Sequence, residues 1–148
     1  MRLDAQISSS SSWEKLNKKL TAYTTTNKTK LAGDIYERVV QLYLQSDPKH
    51  QSKLKNVWLL SEVTSKIKDK LRLPNQDMGI DLIAETFDGE YWAIQAKYRS
   101  NINETLSLGG VGGLSTFTSL AFHTCKYITH GLVCTTINNP PRNIKLMR

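Results

Sequence analysis

Apolar positions recur at helical spacing in LAGDIYERVVQLYLQSDP, where Ile35, Val39, Val40, Tyr43 and Leu44 fall on one side of a helix. Asp34 stands as its N-cap and Glu37 follows three residues later, the spacing of a capping box. Ser46-Asp47-Pro48 ends it, because proline disfavours helical backbone in the residue before it. A shorter helix is expected in WEKLNKKLTAY, capped by Ser12, after a flexible lead-in rich in serine. Four runs carry the β-branched and aromatic character of strands: NVWLLSEV, GIDLIAET, YWAIQAKY and HGLVCTTI. SKIKDKLRL is rich in lysine and fits a helix or a loop. ETLSLGGVGGLSTFTSLAFHTC starts as a glycine-rich loop and turns helical from about Ser115 to His123. The order α, β, β, β, α, β, with a short helix in front, predicts an α/β domain whose mixed sheet is flanked by helices.

Polar residues interrupt the most strand-like of these runs. Side chains alternate along a strand, so Tyr91, Ala93, Gln95 and Lys97 share one face and Trp92, Ile94, Ala96 and Tyr98 the other. The orientation of Asp81 depends on the turn between the second and third strands. With a two-residue Asp88-Gly89 loop, Asp81 pairs with Ala96 and points away from Gln95. With a three-residue loop, Phe87-Asp88-Gly89, and Gly89 left-handed, Asp81 faces Gln95 across the strands. Both turns suit an Asp-Gly pair, and one residue of register swaps the faces. The three-residue loop is preferred here, because it gathers Asp81, Gln95 and Lys97 on one face.

Charge sharpens the picture. Lys and Arg number 20 against 13 Asp and Glu in 148 residues, a net charge of +7, which suits a polyanionic partner such as nucleic acid. The length fits one domain with its own core. Cys125 and Cys134 form no metal-ligand pattern and are expected to be reduced and buried. No apolar leader opens the sequence, and no run reaches the length of a membrane span, so an intracellular protein with no membrane partner is expected.

Asp81, Gln95 and Lys97 together suggest phosphodiester hydrolysis. A carboxylate and an amide oxygen suit Mg²⁺, with water and substrate phosphate completing its shell. A lysine beside the metal can hold a water and offset charge in the transition state. The plain alternatives are a solvated sheet face for Gln95 and Lys97 and a backbone-bonded carboxylate for Asp81.

GDIYERVVQLYL, NVWLLSEV, DMGIDLIAE, YWAIQAKY and GLVCTTI, in this order over residues 33 to 137, resemble the PD-(D/E)xK nuclease superfamily. The likeness is to its Mrr-like branch with Gln-x-Lys, as in the N-terminal nuclease domains of type ISP restriction enzymes and related bacterial helicase-nucleases. It implies a restriction-endonuclease-like core and a DNA endonuclease that uses Mg²⁺, with Mn²⁺ able to substitute. By it, Asp81 and Gln95 hold the metal with the Ala96 carbonyl, Lys97 is the catalytic lysine, and Glu37 is the helix glutamate aimed at the metal. For Glu37 the capping role stands beside that one. Asp77 matches a position that is commonly acidic in the branch.

Arg99, directly after this motif, is a candidate phosphate contact, as are Ser115 and Thr116 at the start of the later helix. The lysines of residues 53–72 could touch the DNA backbone or simply face solvent. Residues 1–30 are expected as a flexible segment and helix, and 31–148 as the nuclease domain, a fragment of a larger bacterial cytoplasmic protein. Double-stranded DNA would be its substrate, and helicase, translocase or methyltransferase domains would share its polypeptide. A DNA-gripping module without cleavage and a dimeric junction-resolving nuclease are the rival readings.

Overall fold

Antiparallel pairing sets Leu82 against Ile94, Ile83 against Ala93, Ala84 against Trp92 and Glu85 against Tyr91, joining β2 (Leu82–Thr86) to β3 (Tyr91–Lys97). In the computed structural model, which describes residues 2–73, 79–104, 117 and 125–137, this hairpin forms the two central strands of a four-stranded sheet. Its loop is Phe87-Asp88-Gly89: the Thr86 N–H donates to the Glu90 carbonyl at 2.9 Å, and Gly89 has a φ of +83°. The three-residue loop is therefore the one adopted. Open space surrounds Gly89, so a methyl group there would meet backbone strain alone. Gly89→Ala is expected to cost about 1 kcal/mol. A lower urea midpoint with an unchanged slope would show it.

Strand β1 (Leu54–Leu59) runs antiparallel to β2 with a bulge between Leu54 and Asn56, and β4 (Ile128–Thr135) runs parallel to β3. The sheet is therefore mixed. Both of its faces are covered, which explains why Leu82, Ile83 and Ala84 are all fully buried despite alternating sides. Leu82, Ala84, Ile94 and Tyr98 pack against α2 (Trp13–Thr25) and α3 (Thr29–Ser46), meeting Leu16, Leu20, Ile35, Val40 and Leu44. A single-turn α4 (Pro48–Gln51) follows α3, and on the other face of the sheet Ile83, Tyr91 and Ala93 pack with Leu71 of α5 (Ser65–Leu71), Ile80, Phe117 and Cys125 into a second core. Each large apolar side chain buried in this way contributes about 1.5–3 kcal/mol before entropy is counted.

Several local expectations hold and others shift. Ser12 caps α2, its side chain accepting from the Lys15 N–H. SKIKDKL is helical, with Thr64 as its cap. The serine-rich lead-in is not simply flexible: Arg2–Ser8 form α1 (RLDAQIS), tied to α3 by Arg38 Nε donating to Asp4 Oδ1 at 2.7 Å. That guanidinium holds the Asp4 carboxyl below its usual range. Asp34 is no N-cap, because α3 already starts at Thr29, and Asp34 instead pairs with Lys30 one turn back at 3.0 Å. Tyr43, on the apolar side of the expected helix, is exposed at 53% rather than core. Both cysteines are unpaired thiols; Cys125 is fully buried and Cys134 partly so. Burial pushes the Cys134 thiol up to about 11, so it stays protonated at neutral pH.

Candidate active site

Asp81 sits one residue before β2, where both neighbouring strands hold it. Its N–H donates to the Ile94 carbonyl at 2.9 Å, and its carbonyl accepts from the Leu60 N–H at 3.0 Å. The observed register extends to place Asp81 opposite Gln95, on the face that also carries Lys97. The carboxylate is fixed as well, with Oδ2 accepting the Ala96 N–H at 2.8 Å. That bond fixes one carboxylate oxygen of Asp81 at a defined point.

Gln95 is not on a solvated face. It is 2% exposed, and its Oε1 has no hydrogen-bond partner among the described residues. A buried amide oxygen left unpaired costs about 1–3 kcal/mol, so the site holds an acceptor directed at something other than those residues. Gly79, with a φ of +100°, makes room beside it: a Cβ there would come within 3.3 Å of Gln95 Nε2. The glycine of the Gly-Ile-Asp run thus serves both backbone and packing. Lys97 is half-buried at the end of β3. That end is anchored to α2 through the Tyr98 hydroxyl, which donates to Asn17 Oδ1 at 2.7 Å.

Glu37 reaches this region from α3. It lines a cavity of about 470 Å³ together with Asp81, Asp34, Lys30 and Lys68. Because α3 begins at Thr29, Glu37 lies well inside the helix, and the capping reading for it falls away. Its helix is held in register by a polar chain centred on the buried Gln41. Arg38 Nη1 donates to Gln41 Oε1 at 2.7 Å, and Gln41 Nε2 donates to the Val57 carbonyl at 3.0 Å and to Glu62 Oε1 at 2.7 Å. Glu62 Oε1 also accepts the Leu59 N–H at 2.9 Å. This chain, which the sequence did not single out, locks α3 to the end of β1 and so fixes Glu37 relative to Asp81. A glutamine on the apolar side of a helix is the only mark it leaves in the sequence.

No cluster of three His, Cys, Asp or Glu side chains suited to a metal occurs among the described residues. A divalent ion here would use the Asp81 and Glu37 carboxylates with the Gln95 amide oxygen, then backbone, water or substrate. The unpaired buried oxygen and the fixed carboxylate fit that demand for hard oxygen donors. Arg99, next along the chain, is held by its neighbours. Its N–H donates to Thr136 Oγ1 at 2.9 Å, and its Nε lies 3.6 Å from Glu104. Ser115, Thr116 and Asp77 lie outside the described residues, as does most of the helix expected around them. Phe117 alone of that stretch is described, helical and fully buried.

The family model described as restriction endonuclease, Mrr_cat_2, matches residues 45–146. Among solved structures, an ATP-dependent type ISP restriction-modification enzyme, LlaBIII, bound to DNA, is similar at 26% identity with a TM-score of 0.58. The match covers 87% of this chain and 7% of that one. No curated protein sequence matches the chain. The mixed sheet with its flanking helices is thus a restriction-endonuclease-like fold. No described helix is long and apolar enough to cross a membrane.

Proposed function

Because the chain belongs to a restriction endonuclease family, we propose that it is a Mg²⁺-dependent endonuclease domain cutting DNA phosphodiester bonds at the Asp81–Gln95–Lys97 face. The observation that carries this is the buried Gln95 Oε1, without a hydrogen-bond partner among the described residues, on the strand position facing a fixed carboxylate. Asp81 and Gln95 hold the metal, with the Ala96 carbonyl and Glu37 completing the protein's share. Mn²⁺ serves in place of Mg²⁺. The bound metal supplies Lewis acidity toward the phosphate and lowers the pKa of water.

The chain's own residues do the rest. The Ala96 N–H steers one Asp81 oxygen into a defined position. Gln95, enclosed by the second core, keeps its amide oxygen away from competing water. Lys97 orients the attacking water and balances charge as it builds on the phosphate. Arg99 can grip a flanking phosphate by exchanging Glu104 for it, and Ser115 and Thr116 are proposed to contact the backbone as well.

The matched structure is a far longer enzyme bound to DNA. That supports DNA as the substrate and a larger restriction enzyme as the setting; double-stranded DNA and a cytoplasmic restriction or helicase-nuclease polypeptide are the forms proposed here. Motor and methyltransferase domains would share that polypeptide. Supercoiled plasmid incubated with the chain and Mg²⁺ or Mn²⁺ tests the activity. Nicked and linear products that vanish on adding EDTA are expected. Products formed equally well with chelator present would overturn the metal-dependent reading.

A further inference from the structure

We propose that Lys68 is a further phosphate-binding residue of this site, gripping a DNA backbone phosphate that adjoins the scissile one. The inference rests on the endonuclease reading and deepens it. Three carboxylates and two ammonium groups line the cavity at Asp81 and Glu37. One of those cations, Lys30, lies on its outer surface and pairs with Asp34 at 3.0 Å. Lys68 differs. It is half-buried, and it forms no ion pair with any described residue. A lysine whose stem is packed and whose ammonium pairs with no described carboxylate is available to a phosphate anion. A strand brought to Asp81 and Glu37 delivers phosphates to this same cavity.

Lys68 is also built into place. Leu71, one turn on, is fully buried in the second core, and the Lys68 carbonyl accepts the Leu73 N–H at 2.9 Å. Arg72, left-handed at φ 57°, closes the helix behind it. The other lysines of α5 lack this setting. Lys66 is exposed, and Lys70 lies over the Tyr91 ring at 5.0 Å from its centre. Before metal and substrate meet, the cavity's carboxylates repel DNA; a cation on the same cavity wall offsets that repulsion and sets where the backbone enters.

Binding of a short duplex, followed by fluorescence anisotropy with Ca²⁺ across a series of KCl concentrations, tests the assignment. Lys68→Ala is expected to weaken binding about fivefold to tenfold and to lower the log–log salt slope by about one. Lys68→Arg should restore most of both, and Lys66→Ala should change affinity less than about twofold. Equal melting temperatures would show that the variants remain folded. A Lys68→Ala protein that matches wild type in affinity and slope overturns the proposal. If wild type still nicks plasmid and Asp81→Asn does not, the endonuclease reading survives that outcome. A wild-type chain that neither binds nor cuts DNA would overturn both.

Discussion

Asp81→Asn is expected to lower metal-dependent DNA nicking by at least about a thousandfold while the protein stays folded. The substitution isolates charge from geometry. An asparagine oxygen can still accept the Ala96 N–H that Asp81 Oδ2 accepts at 2.8 Å. The backbone bonds of residue 81 to Ile94 and Leu60 do not involve the side chain. What disappears is the anionic oxygen donor, and a hard divalent cation gains far less from a neutral amide. The site already contains one amide donor, Gln95, so two amides and Glu37 would have to hold the ion. Plasmid nicking, with circular dichroism as the check on folding, reads the result. Cleavage within about tenfold of wild type would mean that Asp81 carries no metal.

Lys97→Met is expected to reduce cleavage by about a hundredfold to a thousandfold while divalent-ion binding is retained. Methionine keeps the length and much of the apolar stem of lysine, so packing beside Tyr98 changes little. The ammonium that would hold water and balance the phosphate is gone. Because the residue acts in the transition state more than in binding, kcat should fall with little change in KM. A loss of Mn²⁺ binding as large as that in Asp81→Asn would instead make Lys97 part of the scaffold around the metal.

The hairpin was the most legible part of the sequence, since its parts point to one answer. Asp88-Gly89 fixes the loop chemistry, the apolar alternation fixes the faces, and only one register brings three polar side chains together. The structure has that register and the left-handed glycine that goes with it. Helix starts were less legible. Asp34 and Glu37 have the spacing of a capping box, but burial of Ala32 against the sheet extends α3 back to Thr29. Tertiary packing outweighed the local cap signal. Helix α1 was missed for the same reason: seven residues make a marginal helix alone, and its support comes from Arg38 and the core beneath Leu3 and Ile7.

Candidate-site identities came from motif spacing, whereas their environment did not. Sequence left Gln95 on a solvated face or at a metal, and its burial removes the first reading. Nor could sequence separate Lys68 from the lysines beside it. Only the folded helix shows which of them lines the cavity that Asp81 and Glu37 also line.

The most direct measurement is Mn²⁺ binding, read by electron paramagnetic resonance with a short uncleavable duplex present, for wild type and Asp81→Asn. One saturable protein-dependent site in wild type, lost in Asp81→Asn, is the predicted result. Identical binding curves for the two proteins would place the metal elsewhere and contradict the account.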